Sequence, residues 1–555
     1  MKTNLSYRLK ASAILVMLGG APATAVAQDS PETNISAFDR SYHNWYNLDA
    51  QQDNVHGVSV NRAYTELLSN RKSKKTVVVA IIDSGTDIHH EDLKGRIWVN
   101  PKEIAGNNQD DDNNGYIDDV HGWGFLGNAS GENIKYETYE FARLLRQLSP
   151  KYSQVKSEKE VPAAQLQEYK TYLRCKQTYE QEVTKRKQEQ AGLDAFMQVM
   201  QECNTILAEH LGKKTFMLSE VRNISGASEK VMKARGWLLT KYSQGYSAES
   251  FRAFRENNDV YLQQHLNLAY NPRTLVADNP EDINDRVYGN SNVIGPRADH
   301  GTPVAGVIAG IRGNNTGIDG IAENVQLMIL RAVPQGDERD KDIALAIRYA
   351  ADNGANIINM SFGKDFSPQK SFIDEAVKYA ESKNVLLVHA AGNDGQNIDE
   401  NDNFPTKQLL DGTRAKNWLE VGATALVADK NFCGVFSNYG KQNVDLFAPG
   451  VDIISLAPDN KYDKMDGTSF ASPVVSGVAA LVWSYYPELS ATELKDVLLK
   501  STTQHPKLKV ITPNLESAKK QKVNFSELSV TGGVVNAYQA LKLAEKLVQE
   551  KAPKS

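Results

Sequence analysis

Thr76-Val77-Val78-Val79-Ala80-Ile81-Ile82 runs without interruption into Asp83-Ser84-Gly85. An unbroken apolar, β-branched stretch, as opposed to an alternating one, is what a strand covered on both faces requires. Such a strand implies a parallel sheet with helices on either side. Comparable runs recur at residues 325–330, 355–359, 385–390, 419–422 and 444–447. Helical spacing separates several of them, at residues 342–353 and 371–383. Strands and helices therefore alternate, and the expected fold class is α/β with a mainly parallel β-sheet flanked by helices. Reactive groups in such sheets collect at the carboxyl ends of strands, where Asp83 stands.

Outward from this core the texture changes. Between residues 129 and 285 Lys, Glu, Gln, Arg, Tyr and Leu dominate and turn signals are sparse. Residues 136–148, 163–190, 193–211, 227–241 and 248–266 carry amphipathic helical spacing, so an α-helical insertion interrupts the sheet-forming segments. It reads as a lid, an inhibitory arm, a docking surface for a partner protein, or a solvated decoration packed on the scaffold. The sheet-forming halves are then residues 76–128 and 286–545. An N-terminal extension, 28–75, precedes them and a frayed tail, 546–555, follows.

The chain has 555 residues, 41% of them hydrophobic and 24% charged, with a net charge of −5. That is an ordinary globular composition with no excess of basic residues to hold nucleic acid. Residues 1–27 depart from it: Lys2, Arg8 and Lys10 precede an uncharged run closing on Ala25-Val26-Ala27. This is the layout of a secretory signal peptide. The expectation is an exported protein, periplasmic or extracellular, with no membrane span after signal removal. The other long uncharged run, residues 467–487, carries Ser469, Ser472, Pro473 and Ser476 and suits a buried core helix. Export permits disulfides, yet the cysteines number 3, so at least one is unpaired within the chain. A helical hairpin would bring Cys175 and Cys203 together; otherwise both remain thiols. Cys433 reads as a buried thiol beside a strand.

Four short motifs carry chemistry. Asp83 closes the first strand, and His300 opens a helical stretch rich in Gly and Ala. Ser469 follows Gly467-Thr468 at the start of the long apolar helix, and Asn393 follows Ala390-Ala391-Gly392. Each alone has a structural reading as a turn, a packed imidazole, a helix cap or a loop cap. Together they supply what acyl transfer needs: a hydroxyl nucleophile, an imidazole base, a carboxylate that orients the base, and donors for the oxyanion. The chain order is Asp, His, Ser.

That order and these contexts resemble the subtilisin-like serine proteases, or subtilases. The resemblance covers residue 76 to about 125 and about 288 to 545, and implies a subtilisin-like fold with the helical insertion between the Asp and His motifs. It implies that Asp83 orients His300, that His300 is general base and then acid, and that Ser469 is the nucleophile. The Asn393 side chain and the Ser469 backbone N–H would bind the oxyanion. Ser361-Phe362-Gly363 and Ala390-Ala391-Gly392 would form the two walls of a groove that pairs with an extended peptide. No cofactor is implied for the chemistry, and the partner is a protein or peptide substrate.

Pro303 and Phe470 stand where the family motifs carry His and Met; neither position supplies a reacting group, so they bear on pocket shape. The segment before the first strand is short for a folding-assistant propeptide, and activation by its removal is not expected. Asn403 is expected at the pocket base, bordered by Asp394, Asp399, Glu400 and Asp402. Separately, Asp110, Asp112 and Asn114 place oxygen ligands at alternate positions ahead of Gly115, as at the opening of a calcium loop, although His121 stands where that loop ends in Glu. The run reads either as a structural calcium site or as a solvated Asp/Asn turn. Asp92 with Asn314-Asn315 is a second, weaker candidate. A rival reading of the whole is a peptide-binding or regulatory module that has kept this scaffold without turnover.

Overall fold

The computed structural model describes residues 35–515 and 521–551, so the expected signal segment 1–27 lies outside the described residues. Two compact units are present: Phe141–Tyr270, and the sheet unit built from the segments up to Glu140 and from Asn271 onward.

The strands are β1 Val77–Asp83, β2 Gly122–Gly124, β3 Val325–Arg331, β4 Ile357–Met360, β5 Leu386–Ala390, β6 Trp418–Thr424, β7 Leu446–Pro449, β8 Ile453–Ala457, β9 Lys461–Met465, β10 Thr503–Gln504, β11 Lys509–Ile511, β12 Lys522–Asn524 and β13 Gly533–Val534. Nine form one sheet in the order β10-β13-β7-β6-β5-β4-β1-β3-β2. Its neighbours are parallel except β10 with β13. The remaining four make the antiparallel pairs β8–β9 and β11–β12.

Strand periodicity divides β1 between two cores. Val77, Val79 and Ile81 pack in one with the helices Gly301–Ala309 and Thr468–Tyr485, whereas Ala80 and Ile82 pack in the other with Asp340–Asp352 and Lys370–Ser382. Both faces of the strand are dry, which is why its sequence is apolar throughout rather than alternating. The helix Thr468–Tyr485 is buried along its whole length, consistent with an apolar surface all round. Among the described residues no helix is long and apolar enough to cross a membrane. β3 and β4 lie on opposite sides of β1, so the strand order reverses there and a crevice opens above the carboxyl end of β1.

The N-terminal extension is part of this core. Trp45, Tyr46, Val58, Val60 and Ala63 are fully buried in it. Trp45 Nε1 donates to the Asp452 carbonyl at 3.1 Å, and Asn47 Nδ2 donates to that of Asp319 at 2.7 Å. At the other end the sequence reading of a frayed tail needs correction. The helix Ala537–Lys551 carries through residues 546–551 because Leu547 and Val548 pack against the core.

The unit Phe141–Tyr270 is helical. The break expected near Gly192 does not occur: Leu166–Leu211 is one helix of 46 residues, since a single glycine costs a helix only about 1 kcal/mol. Cys175 and Cys203 both lie on it, which puts them about 42 Å apart along its axis at 1.5 Å per residue. No bridge can join them, and both are buried outside any disulfide. Cys203 packs instead with Met200, Leu207, Val221, Leu238 and Phe251.

Candidate active site

Asp83 is the last residue of β1, and its side chain is 2% exposed. His300 caps the helix Gly301–Ala309 and brings Nδ1 to 2.8 Å from Asp83 Oδ1 and 3.0 Å from Oδ2. The helix can come this close only because residue 301 is glycine: a Cβ there would lie 2.2 Å from the Gly85 carbonyl oxygen. Ser84 N–H donates to Asp83 Oδ1 at 2.6 Å and fixes the carboxylate plane. Burial pulls the His300 pKa down, but the Asp83 charge and hydrogen bond outweigh it, and the net shift is upward from the ordinary histidine value. The imidazole keeps 27% of its side-chain surface accessible, and its ring lies 5.8 Å from that of Phe470.

Ser469 is the second residue of the helix Thr468–Tyr485, where the first backbone N–H groups lack intrahelical acceptors. Its Oγ donates to the Ser361 carbonyl at 3.1 Å, and Ser361 Oγ donates to the Ser469 carbonyl at 2.8 Å. Beneath them Asn359 Nδ2 donates to Ser361 Oγ, while Ser472 and Ser476 donate to Asn359 Oδ1. All four of these side chains are buried, and the satisfied network fixes the end of β4 against the serine helix.

Asn393 follows β5. Its Oδ1 accepts from Thr468 N–H at 2.8 Å and from Thr468 Oγ1 at 3.0 Å, which leaves its Nδ2 as the donating side of the amide. Thr468 Oγ1 also accepts from Gly392 N–H at 3.1 Å. Thr468 was invisible to motif reasoning, because its role depends on a contact with a residue far away in the chain.

Ser361-Phe362-Gly363 and Ala390-Ala391-Gly392 leave neighbouring strands, and Asn403 spans the space between them. Its Nδ2 donates to the Ala391 carbonyl at 2.9 Å, and a Cβ on Gly363 or Gly392 would lie 2.9 or 3.4 Å from its Oδ1. Three of the acidic residues expected at the border have partners of their own. Asp399 accepts from the backbone N–H groups of Gln442 and Asn443, Glu400 accepts from Asn397, and Asp394 Oδ2 lies 3.4 Å from Asn438 Nδ2.

The acidic loop gathers one further carboxylate. Glu103, Asp110 and Asp112 bring ligand oxygens within 4.8 Å of one another. Asn114 lies beside them: its backbone N–H is 3.1 Å from Asp110 Oδ1 and 3.2 Å from Asp112 Oδ1, its Oδ1 accepts from Tyr116 N–H and its Nδ2 donates to Asp119. Glu103 was missed because it precedes the motif. At the weaker candidate, Asp92 accepts from Asn314 Nδ2 at 2.7 Å and from Ile318 N–H at 3.1 Å, so both carboxylate oxygens already have protein donors.

A sheet whose strand order reverses beneath this Asp, His and Ser is the architecture of a class of α/β serine proteases. Residues 74–527 match the family model described as Subtilase family, and the chain belongs to that family. It is 42% identical over 186 residues to the thermophilic serine proteinase of Bacillus sp. (strain AK1), covering 33% of this chain and 42% of that protein. It is 38% identical over 223 residues to the cell wall-associated protease of Bacillus subtilis (strain 168), covering 40% and 23%. Against subtilisin DY of Bacillus licheniformis it is 36% identical over 206 residues, covering 37% and 70%. The match thus spans less than half the length of the first two relatives.

Proposed function

We propose that the protein is an exported serine endopeptidase that hydrolyses peptide bonds through an acyl-enzyme on Ser469. The observation that carries this reading is the Asp83–His300 pair at 2.8 Å. A buried carboxylate on Nδ1 keeps the proton there and leaves Nε2 as the base. A change of the Ser469 rotamer from Ser361 towards His300 lets Nε2 take the hydroxyl proton as Oγ attacks the carbonyl carbon. The Asn393 amide and the Ser469 N–H stabilise the oxyanion. His300 then protonates the leaving amine, and water repeats the sequence to release the acid. An extended substrate adds as a strand between Ser361-Phe362-Gly363 and Ala390-Ala391-Gly392.

Covalent labelling by a fluorophosphonate, located at Ser469 by peptide mapping and lost in Ser469→Ala, is the expected result. A folded wild-type chain that stays unlabelled refutes the reading and favours the binding-module alternative. Export is supported by the layout of residues 1–27 and by a relative named as cell wall-associated. N-terminal sequencing of the mature chain is expected to find Met1 removed, and a retained Met1 refutes export through that segment.

A structural calcium ion fits Glu103, Asp110 and Asp112. Glu103 Oε2 is buried without a hydrogen-bond partner, and burial followed by the Asp119 charge raises the pKa of this carboxyl group. Oxygen donors of this kind suit Ca²⁺. Chelation is expected to lower the melting temperature, and an equal melting temperature in Asp112→Asn with and without calcium locates the effect. A wild-type melting temperature indifferent to chelator removes the site. The helical unit carries exposed Leu173, Val199, Met217 and Phe254, which supports a part in recruiting a partner or substrate protein. Met217→Ser with Phe254→Ser is expected to slow cleavage of a folded protein more than that of a short peptide; equal effects dispose of this role.

A further inference from the structure

β5 and β6 are apolar runs with one ionisable residue each. His389 and Glu420 stand directly opposite in the parallel register and are almost wholly buried. An ionisable pair there costs the fold its desolvation, and an apolar pair of similar volume would be cheaper. Their geometry shows what the polar pair provides. His389 Nδ1 lies 2.8 Å from Glu420 Oε1, and Trp418 Nε1 donates to Glu420 Oε2 at 2.7 Å, so both carboxylate oxygens are engaged and the imidazole is fixed. Its other nitrogen, Nε2, lies 2.8 Å from the carbonyl oxygen of Phe362. That carbonyl has no hydrogen to give, so Nε2 carries one and donates.

The imidazole stands between a carboxyl group and a second oxygen as His300 does, but Nε2 here faces a carbonyl and donates, where that of His300 is the base; a second proton lies between Nδ1 and Glu420 Oε1. The Phe362 carbonyl and the Gly363 N–H belong to one peptide unit in the middle of the expected substrate-pairing wall. A hydrogen bond to the carbonyl both orients that unit and polarises its N–H into a better donor. The next residue is held independently: Lys364 N–H donates to the Phe404 carbonyl at 2.9 Å, and its Nζ pairs with Glu140 and Asp340, each at 2.8 Å.

We propose that His389, oriented by Glu420, is a positioning residue of the substrate groove: its Nε2–H fixes and polarises the Phe362–Gly363 peptide that pairs with the substrate main chain. The inference rests on the protease reading given above. It predicts a defect in binding extended peptides, without a matching loss of Ser469 reactivity.

The test uses two full-length variants that leave no carboxylate unpaired. In His389→Leu/Glu420→Gln the donor to Phe362 is gone, and the amide oxygen introduced at position 420 still accepts from Trp418. In His389→Gln/Glu420→Gln an amide N–H at the imidazole Nε2 position restores the donor. The Leu variant is expected to raise KM for a fluorogenic tetrapeptide about five- to tenfold, the value of one buried hydrogen bond, with kcat less affected. The rate of Ser469 labelling by a small fluorophosphonate is expected to fall less than about twofold, since that reagent does not pair with the groove wall. The double-Gln variant should recover most of the KM. Equal KM in the two variants, or labelling that falls in step with peptide hydrolysis, overturns the inference alone. A wild-type chain that resists labelling overturns the protease reading and this inference with it. Nitrogen-15 NMR of the histidine rings reads the same point without activity: an unprotonated His389 Nε2 overturns the proposal.

Discussion

Replacing Asp83 by Asn removes one negative charge from beside His300 and leaves the shape of the site almost unchanged. Two geometric facts set the size of the effect. Asp83 Oδ1 accepts from Ser84 N–H at 2.6 Å and faces His300 Nδ1 at 2.8 Å, so the same oxygen serves both donors. In the variant that oxygen stays a carbonyl, because the flipped amide would set its own hydrogens against Ser84 N–H. The amide nitrogen then takes the Oδ2 position, 3.0 Å from His300 Nδ1, where its hydrogens oppose Nδ1–H and favour the inverted tautomer; that cost, up to about 10⁴, is separate from the effect of the charge. The effect of the charge is the loss of attraction between carboxylate and imidazolium in the transition state. For charge centres about 4 Å apart at an effective dielectric constant of about 20 this is about 4 kcal/mol, or about three orders of magnitude in kcat/KM. The pH profile gives an independent sign. The base is neutral imidazole, so activity is lost as pH falls through the His300 pKa. Asp83 raises that pKa against burial, and without the charge burial prevails, so the acidic limb must move to lower pH while the plateau falls. Hydrolysis of a fluorogenic peptide between about pH 4 and 9, bracketing the ordinary histidine value, measures both. A limb that stays in place or moves up refutes the assignment of Asp83 as the partner of His300, as does an unchanged plateau.

Thr468→Val removes the hydroxyl that donates to Asn393 Oδ1 but keeps the backbone N–H on the same oxygen; kcat is expected to drop about three- to tenfold, the value of one hydrogen bond. A loss as large as that of Asn393→Ala would mean that the amide orientation depends on the hydroxyl alone. Lys364→Met takes away the cation shared by Glu140 and Asp340, whose side chains are 7% and 3% exposed, and is expected to cost about 3–5 kcal/mol of stability in urea denaturation. An unchanged urea midpoint would refute the buried pairing. Alkylation under denaturing conditions without reductant is expected to modify Cys175, Cys203 and Cys433 alike, and a peptide bridged between Cys175 and Cys203 contradicts the single long helix. In the native protein burial pushes the Cys433 thiol far above its usual range, so it should resist a thiol reagent until unfolding.

The parallel sheet was legible because a strand dry on both faces is apolar almost throughout, and β1 and β3–β7 lie within a residue or two of the apolar runs, with Asn359, His389 and Glu420 as polar exceptions inside β4, β5 and β6. The residues gathered at the crevice were legible because each lies in a short motif with its own local geometry: a strand end for Asp83, a glycine-rich helix start for His300, a helix N-terminus for Ser469. The helix Leu166–Leu211 spans the two segments read at 163–190 and 193–211, because a single glycine between them costs too little to end a helix. The tail was read as frayed because chain ends commonly are, whereas Leu547 and Val548 have the core to pack on.

By itself the chain determined the central parallel strands, the helical character of the insertion and which side chains could do chemistry, since these follow from residues within a turn or a strand of one another. Only the tertiary structure decided who faces whom. The pairing of His389 with Glu420, the convergence of Glu103 on Asp110 and Asp112, and the hold of Thr468 on Asn393 depend on strand register and loop packing between residues distant in sequence. Such contacts leave no local pattern. A histidine inside an apolar strand looks the same whether its neighbour across the sheet is a leucine or a carboxylate, and only the register makes the difference.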